Sequence, residues 1–289
     1  MTVRLVLVLT LALLSISSTA LVVRYVSDVP ALTLAFWRML IASGLLWVYG
    51  IFKPESTLSI QQKKLIGFAG IFLGCHFACF FLAVRHTTIA NATLLGCMLP
   101  VFTVLVALIQ KQPISKATIA GLALALGGAF IIQTGEITLG GQNSFGNLIA
   151  VLGAFFIAVT FVIAGRVRQN TDTTTYGKNL FLIAAVTLLI ISNFAGNSVF
   201  NISIRHLHWL LFLGIVPSIL GHNLLNYSLK YISPTAVSAI PLGEPIIASL
   251  LGLLWFGEAI AHQSILGGPI ILVGVFIILK SQSLNGSNS

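Results

Sequence analysis

Between Lys230 and Glu258 the chain carries one charge, Glu244, set between Pro241 and Pro245 in the stretch AVSAIPLGEPIIASLLGLLW. A carboxylate beside two residues that interrupt helical hydrogen bonding, inside an apolar run, has few uses. It meets a cationic group, it carries a proton, or it pairs permanently with a neighbouring helix. Arg38, in FWRML, poses the complementary problem, because a guanidinium in apolar surroundings needs an acceptor. The candidates are Glu244, a backbone carbonyl at a helix end, a carboxylate on a bound molecule, or Asp28, reached by extending the side chain outward. His76, His222, Asn226, Asn91, Thr160 and Ser15 add hydrogen-bonding groups to other apolar stretches, with Asn226 one helical turn after His222 and therefore on its face. A single such group serves as an interhelical bond worth about 0.6 kcal/mol. Spread over several helices, together with Phe80 and Phe156 from an aromatic-rich pair of segments, they read as the lining of a polar cavity that binds a small molecule.

The elements that must position these residues are membrane-spanning helices. Hydrophobic residues make up 57% of the chain and charged residues 7%, with mean hydropathy +1.03. A water-facing surface needs roughly 25% charged residues, so the composition excludes a soluble domain. Apolar runs predict about ten spans, at 4–25, 31–51, 65–84, 89–110, 115–134, 146–167, 177–199, 208–229, 235–255 and 263–280. The N-terminal run imitates a secretory signal but stays apolar through Val26, which makes it an uncleaved first span. The net charge of +9 comes from scattered residues that form no basic stripe, so nucleic acid is not an expected partner. The positive charges instead set topology. Arg4, Lys53, Lys63, Lys64, Lys111, Lys116, Arg166, Arg168, Lys178, Lys230 and Lys280 fall on one side and Arg24, Arg85 and Arg205 on the other, predicting cytoplasmic N- and C-termini in a multi-pass protein of the inner or plasma membrane. Cys75, Cys79 and Cys97 offer too few ligands for a metal site, and no cofactor motif or phosphate-binding loop is present.

The chain also repeats itself. Aligning Ala83–Ile109 with Ser228–Leu254 sets Thr88 on Ser233 and Pro100 on Pro245; with a one-residue slip, Gly121, Gly128 and FII at 130–132 fall on Gly267, Gly274 and FII at 276–278. The halves are 4–134 and 146–280, joined by a polar, glycine-rich link. Five spans per half force opposite orientations in the bilayer, the arrangement of transporters that alternate access across a central site. Pro100, Pro241 and Pro245 are the candidate hinges.

The stretch from Asn226 to Ile278, with its Ser-Pro, Glu-Pro and Gly-Glu pairs and glycine-rich last span, resembles the second half of EamA-type members of the drug/metabolite transporter superfamily; ALTLAFWRMLIASGLL, FLAVRHTTIANATLLGCMLP and GLALALGGAFII form the weaker first copy. The resemblance covers nearly the whole chain. It implies an all-α membrane protein of ten helices in two inverted five-helix repeats around a central cavity, moving a small metabolite, amino acids being the first candidates. A coupling proton or an exchange substrate is a further partner to consider. The first half departs in having Leu99 opposite Glu244 and Gln112 opposite Glu258, so charge-dependent chemistry is asymmetric. The alternative is a membrane-embedded enzyme that uses Glu244 with a His or Arg partner.

The topology is directly testable. A cysteine placed at Gln142, in the link between the halves, should react with a membrane-impermeant maleimide in intact cells. Labelling only after permeabilisation would invert the assignment.

Overall fold

The computed structural model describes residues 2–53, 55–134, 143–247, 250 and 262–285. Among them there is no strand, and nine helices are long and apolar enough to cross a membrane. In hydrocarbon every backbone polar group must find a partner within the protein, which restricts a chain of this composition to helices. In chain order these are α1 (Val3–Ser17), α2 (Thr19–Tyr25), α3 (Ala31–Gly50), α4 (Ile60–His86), α5 (Ile89–Gly96), α6 (Leu99–Ile109), α7 (Lys116–Gln133), α8 (Ser144–Val167), α9 (Thr173–Phe194), α10 (Leu207–Leu213), α11 (Leu224–Ser228), α12 (Pro234–Ser238) and α13 (His262–Asn285). A π-helical segment, Gly214–Asn223, joins α10 to α11, and a 3-10 turn, Ile240–Gly243, follows α12. The expected ninth span, 235–255, runs partly outside the described residues, as do Glu258 and most of the link between the halves.

Caps explain where the helices begin. Ser59 and Gln62 form a reciprocal capping box that starts α4 five residues before the expected span, and Asp172 caps α9 through Thr175 N–H at 2.8 Å, four residues early. Loops alternate between two ends of the bundle. At the end that holds the N-terminus, Ser56 and Asp172 exchange hydrogen bonds of 3.0 and 2.9 Å, and Gln62 donates to Thr171. Lys178 there is buried against the Trp47 ring, 3.9 Å from its centroid, and ion-paired with Glu55. At the far end Asp28 accepts from Arg205 and His206, while Arg85 holds the α2–α3 loop by its Val26, Ser27 and Val29 carbonyls. Arg38 therefore does not reach Asp28, which is occupied by other partners. Arg168 and Lys178, read as topology-setting surface charges, are both 2% exposed and serve as internal ties.

The aligned glycines of the repeat meet in space, and they meet crosswise. A Cβ at Gly121 would lie 2.7 Å from the Gly274 carbonyl, and one at Gly128 would lie 2.7 Å from the Gly267 carbonyl. Since the partner number falls as the first rises, α7 and α13 run antiparallel. Glycine is required at these crossings because two backbones approach within the space of a methyl group. A hydroxyl pair, Thr118–Ser281 at 2.9 Å, closes the N-terminal end of the same seam.

Gly128→Val should lower stability by about 1–3 kcal/mol, the usual cost of overpacking. Gly127→Ala, where an added methyl meets nothing within 4 Å, should leave the melting temperature unchanged or slightly raised; equal losses from both would refute the close-approach account. A second expectation concerns Asp172. Burial alone would raise its carboxyl, but hydrogen bonds from Thr175 and Ser56 outweigh that and hold it at about 2 against an ordinary 3.8. The lower value belongs to the folded state, so this stabilisation is complete above 3.8 and is lost as pH falls towards about 2. Asp172→Asn should melt below wild type at neutral pH, and the gap should close across that window.

Candidate functional site

Two interrupted helices build the central cavity. In the first half Thr88 caps α5 through Asn91 N–H at 3.0 Å; the helix stops at Gly96 and resumes at Leu99, with Pro100 in its first turn. In the second half Ser233 caps α12 through Ala236 N–H at 3.2 Å, the 3-10 turn carries Pro241, and helical geometry resumes at Glu244 with Pro245 next. Proline is tolerated in a first turn because its missing N–H has no intrahelical partner there. The repeat pairs Thr88/Ser233 and Pro100/Pro245 are thus the caps and restarts of matched half-helices. The interruptions touch: Cys97 Sγ donates to the Pro241 carbonyl at 3.8 Å, and the Thr103 and Ser238 hydroxyls lie 3.0 Å apart. Leu99 and Glu244, at the two restarts, both face the cavity.

Arg38 enters from α3 and is wholly buried. Its Nε donates to Ser218 Oγ at 2.8 Å, Nη2 to the Pro217 carbonyl at 3.1 Å and Nη1 to Thr19 Oγ1 at 3.4 Å. Phe77 lies against the guanidinium, 4.3 Å from ring centroid to the central carbon. The π-helical segment makes this possible, because Pro217 and the wider turn around it place a carbonyl and a hydroxyl beside the side chain. A guanidinium has five N–H donors, so the three bonds to protein leave two for a ligand.

Arg38 and Glu244 line the same cavity without forming an ion pair with each other; among the described residues the ion pairs are Lys178–Glu55, Arg205–Asp28 and His206–Asp28. Two histidines complete the polar wall. His76 donates from Nδ1 to the Gly153 carbonyl at 2.9 Å, which leaves Nε2 with its lone pair in the neutral ring. His222, 6.3 Å from His76 between ring centroids, has a buried Nδ1 with no hydrogen-bond partner. Phe77, Phe80 and Phe161 supply apolar surface. The cavity measures about 60 Å³, room for a few waters rather than for a metabolite.

Of the residues singled out in the sequence, Arg38, His76, Phe80, His222, Pro241 and Glu244 converge on this cavity. The others do not line it. Ser15 donates to Leu11 within its own helix, and Thr19, one turn on and past the helix break at Ser18, holds the position next to Arg38. Asn91 is buried in a network with Thr87 and Asn147 that ties α5 to α8. Thr160 bonds the Ala69 and Phe156 carbonyls, so it joins α8 to α4. Phe156 packs against Phe72 and Phe155 while Ile157 and Phe161, on another face of α8, reach the cavity. Asn226, one turn after His222, is buried but does not line the cavity, and its backbone carbonyl accepts from Arg168. Thr19, Thr93, Phe77 and Cys97 are cavity residues that the sequence did not single out for that role. Only Phe77, in the aromatic-rich segment, carried any signal.

A family model described as the EamA-like transporter family matches residues 3–134 and 144–280. An uncharacterized transporter of Archaeoglobus fulgidus is 26% identical over 219 residues, 75% of this chain and 76% of that protein. The pseudopaline exporter CntI of Pseudomonas aeruginosa is 26% identical over 267 residues, 91% of each. One solved crystal structure, 18% identical, superposes with a TM-score of 0.77 over 97% of this chain and 98% of its own, a likeness of fold. With both halves matched by the family model and its helices crossing the membrane many times, the chain belongs to the EamA-like transporter family.

Proposed function

We propose that the protein is a secondary transporter that moves a small zwitterionic metabolite, of the amino-acid type, by alternating access. One observation carries this reading: Arg38 and Glu244 sit in the wall of one cavity with opposite formal charges and no direct pairing. A carboxylate on the substrate takes the free N–H groups of Arg38, and an ammonium meets Glu244. Glu244 also stands where helical geometry resumes, a position at which the helix dipole favours a carboxylate. The histidines add hydrogen-bonding groups, and the aromatic wall takes the apolar part.

The small cavity volume supports a contracted state that must widen to admit a metabolite. A second cavity of about 170 Å³ opens at the N-terminal end between α6, α8 and α12, with Thr103, Gln110, Arg166 and Ser233 in its wall. The Thr103–Ser238 bond and the touching helix breaks separate it from the central site. We take this as the cytoplasmic vestibule, with Pro100, Pro241 and Pro245 as the local hinges of a rocking of 4–134 against 146–280. The exporter name of a relative supports outward transport. The enzyme reading would need a nucleophile working with Glu244; the thiol in the cavity wall, Cys97, instead donates to the Pro241 carbonyl and ties the two helix breaks together.

The purified protein in liposomes should take up one or more amino-acid-like solutes with saturation and return them chemically unchanged, and the same solutes should raise its melting temperature. Glu244→Gln keeps the shape and removes the charge, so flux should fall at least tenfold with little change in melting temperature. Arg38→Lys should lose flux and also about 1.5–3 kcal/mol of stability, because one ammonium cannot replace bonds made by three nitrogens of a fork. Normal flux in Glu244→Gln would overturn the zwitterion reading, and a converted product would overturn transport itself.

A further inference from the structure

A further cavity is larger than the central one. A groove of about 640 Å³ lies at the far end of the bundle between α2, α5 and α10. Its floor is apolar, formed by Leu21, Val22, Ile89 and Phe212. Three membrane helices form its walls. At its rim Tyr25 and Trp209 pair with centroids 5.3 Å apart, and Tyr25 is 73% exposed. Amphipathic rings of this kind settle at the level of lipid headgroups.

Arg24 stands at that same rim, exposed. One of its five N–H groups donates to the Thr87 carbonyl at 2.6 Å, which anchors the side chain beside the groove with further donors to spare. Among the described residues Asp28 is the only carboxylate at this end of the bundle, and Arg205 and His206 already occupy it at 2.6 and 2.9 Å. Arg85 donates from both Nη atoms to backbone carbonyls. Among the described residues the rim therefore holds more positive than negative charge, beside an apolar trough.

We propose that this groove binds an anionic glycerophospholipid, with an acyl chain along Leu21, Val22, Ile89 and Phe212 and the phosphate on Arg24. An acyl chain matches the floor, and the planar guanidinium presents paired donors to phosphate oxygens. The site stands apart from the transport cavity: at the junction of α1 and α2, Ser18 faces the groove and Thr19 faces the cavity. It does not depend on which solute is carried.

The test uses the full protein in nanodiscs that contain phosphatidylcholine or phosphatidylglycerol with brominated acyl chains, which quench nearby tryptophan fluorescence. Phosphatidylglycerol should be preferred about fivefold at Trp209, the equivalent of about 1 kcal/mol for one arginine near the surface. Trp209→Phe should abolish the selective part of the quench. Arg24→Gln should bring the preference to near one, Arg24→Lys should keep most of it, and high salt should weaken it in wild type. Should Arg24→Gln fail to fold, the lysine variant and the salt titration decide. Equal quenching by both lipids in wild type would show ordinary solvating lipid and overturn the proposal. A preference untouched by Arg24→Gln and by salt would also overturn it.

Discussion

A full positive charge held at mid-depth in hydrocarbon has to be satisfied on every side, and the packing around Arg38 is organised by that demand. Its three hydrogen bonds run to the start of α2 and to the π-helical segment, and Phe77 of α4 covers its face. Each contact comes from a place where a regular helix has been disturbed or where an aromatic replaces an aliphatic. A straight α-helix through Pro217 would direct its carbonyls along its own axis; the π-helical turn turns one aside for the guanidinium. The irregular backbone and the buried charge stabilise one another, so neither is expected to persist without the other.

The matched half-helices show how a duplicated plan becomes asymmetric. Both restarts, at Leu99 and at Glu244, bring a helix N-terminus and its partial positive charge to the cavity. In the second half a carboxylate answers that charge, and in the first a leucine leaves it unanswered. The cavity is consequently polar on the side of Arg38 and Glu244 and greasy where Leu99, Ile157 and Phe161 close it.

Much of this was legible in the sequence where a residue type is expensive in lipid. Glu244, Arg38 and the two histidines stood out because each costs free energy unless it is used, and all four reach the cavity. The proline pairs and the Thr88/Ser233 caps stood out because the repeat displays them twice. What was not legible depends on rotation about helix axes. Ser15 and Thr19 are equally polar and one turn apart, and the break at Ser18 decides which faces Arg38. The π-helical segment has no sequence signature beyond Pro217, yet it supplies the carbonyl and hydroxyl that hold Arg38. Lys178 looked like a surface charge because nothing near it in sequence announces Glu55 or Trp47, both more than a hundred residues earlier.

The crosswise glycine contact between α7 and α13 has a geometric property of its own. Gly121 meets the counterpart of Gly128, and Gly128 meets the counterpart of Gly121, so the seam is complementary to itself when one copy is turned over. A surface with that property does not need two different genes to make its partner. A single half inserted in both directions, into the same membrane and from the same message, would meet its own twin along this seam. Leu99 opposite Glu244 breaks that likeness at the cavity, while the glycine seam keeps it.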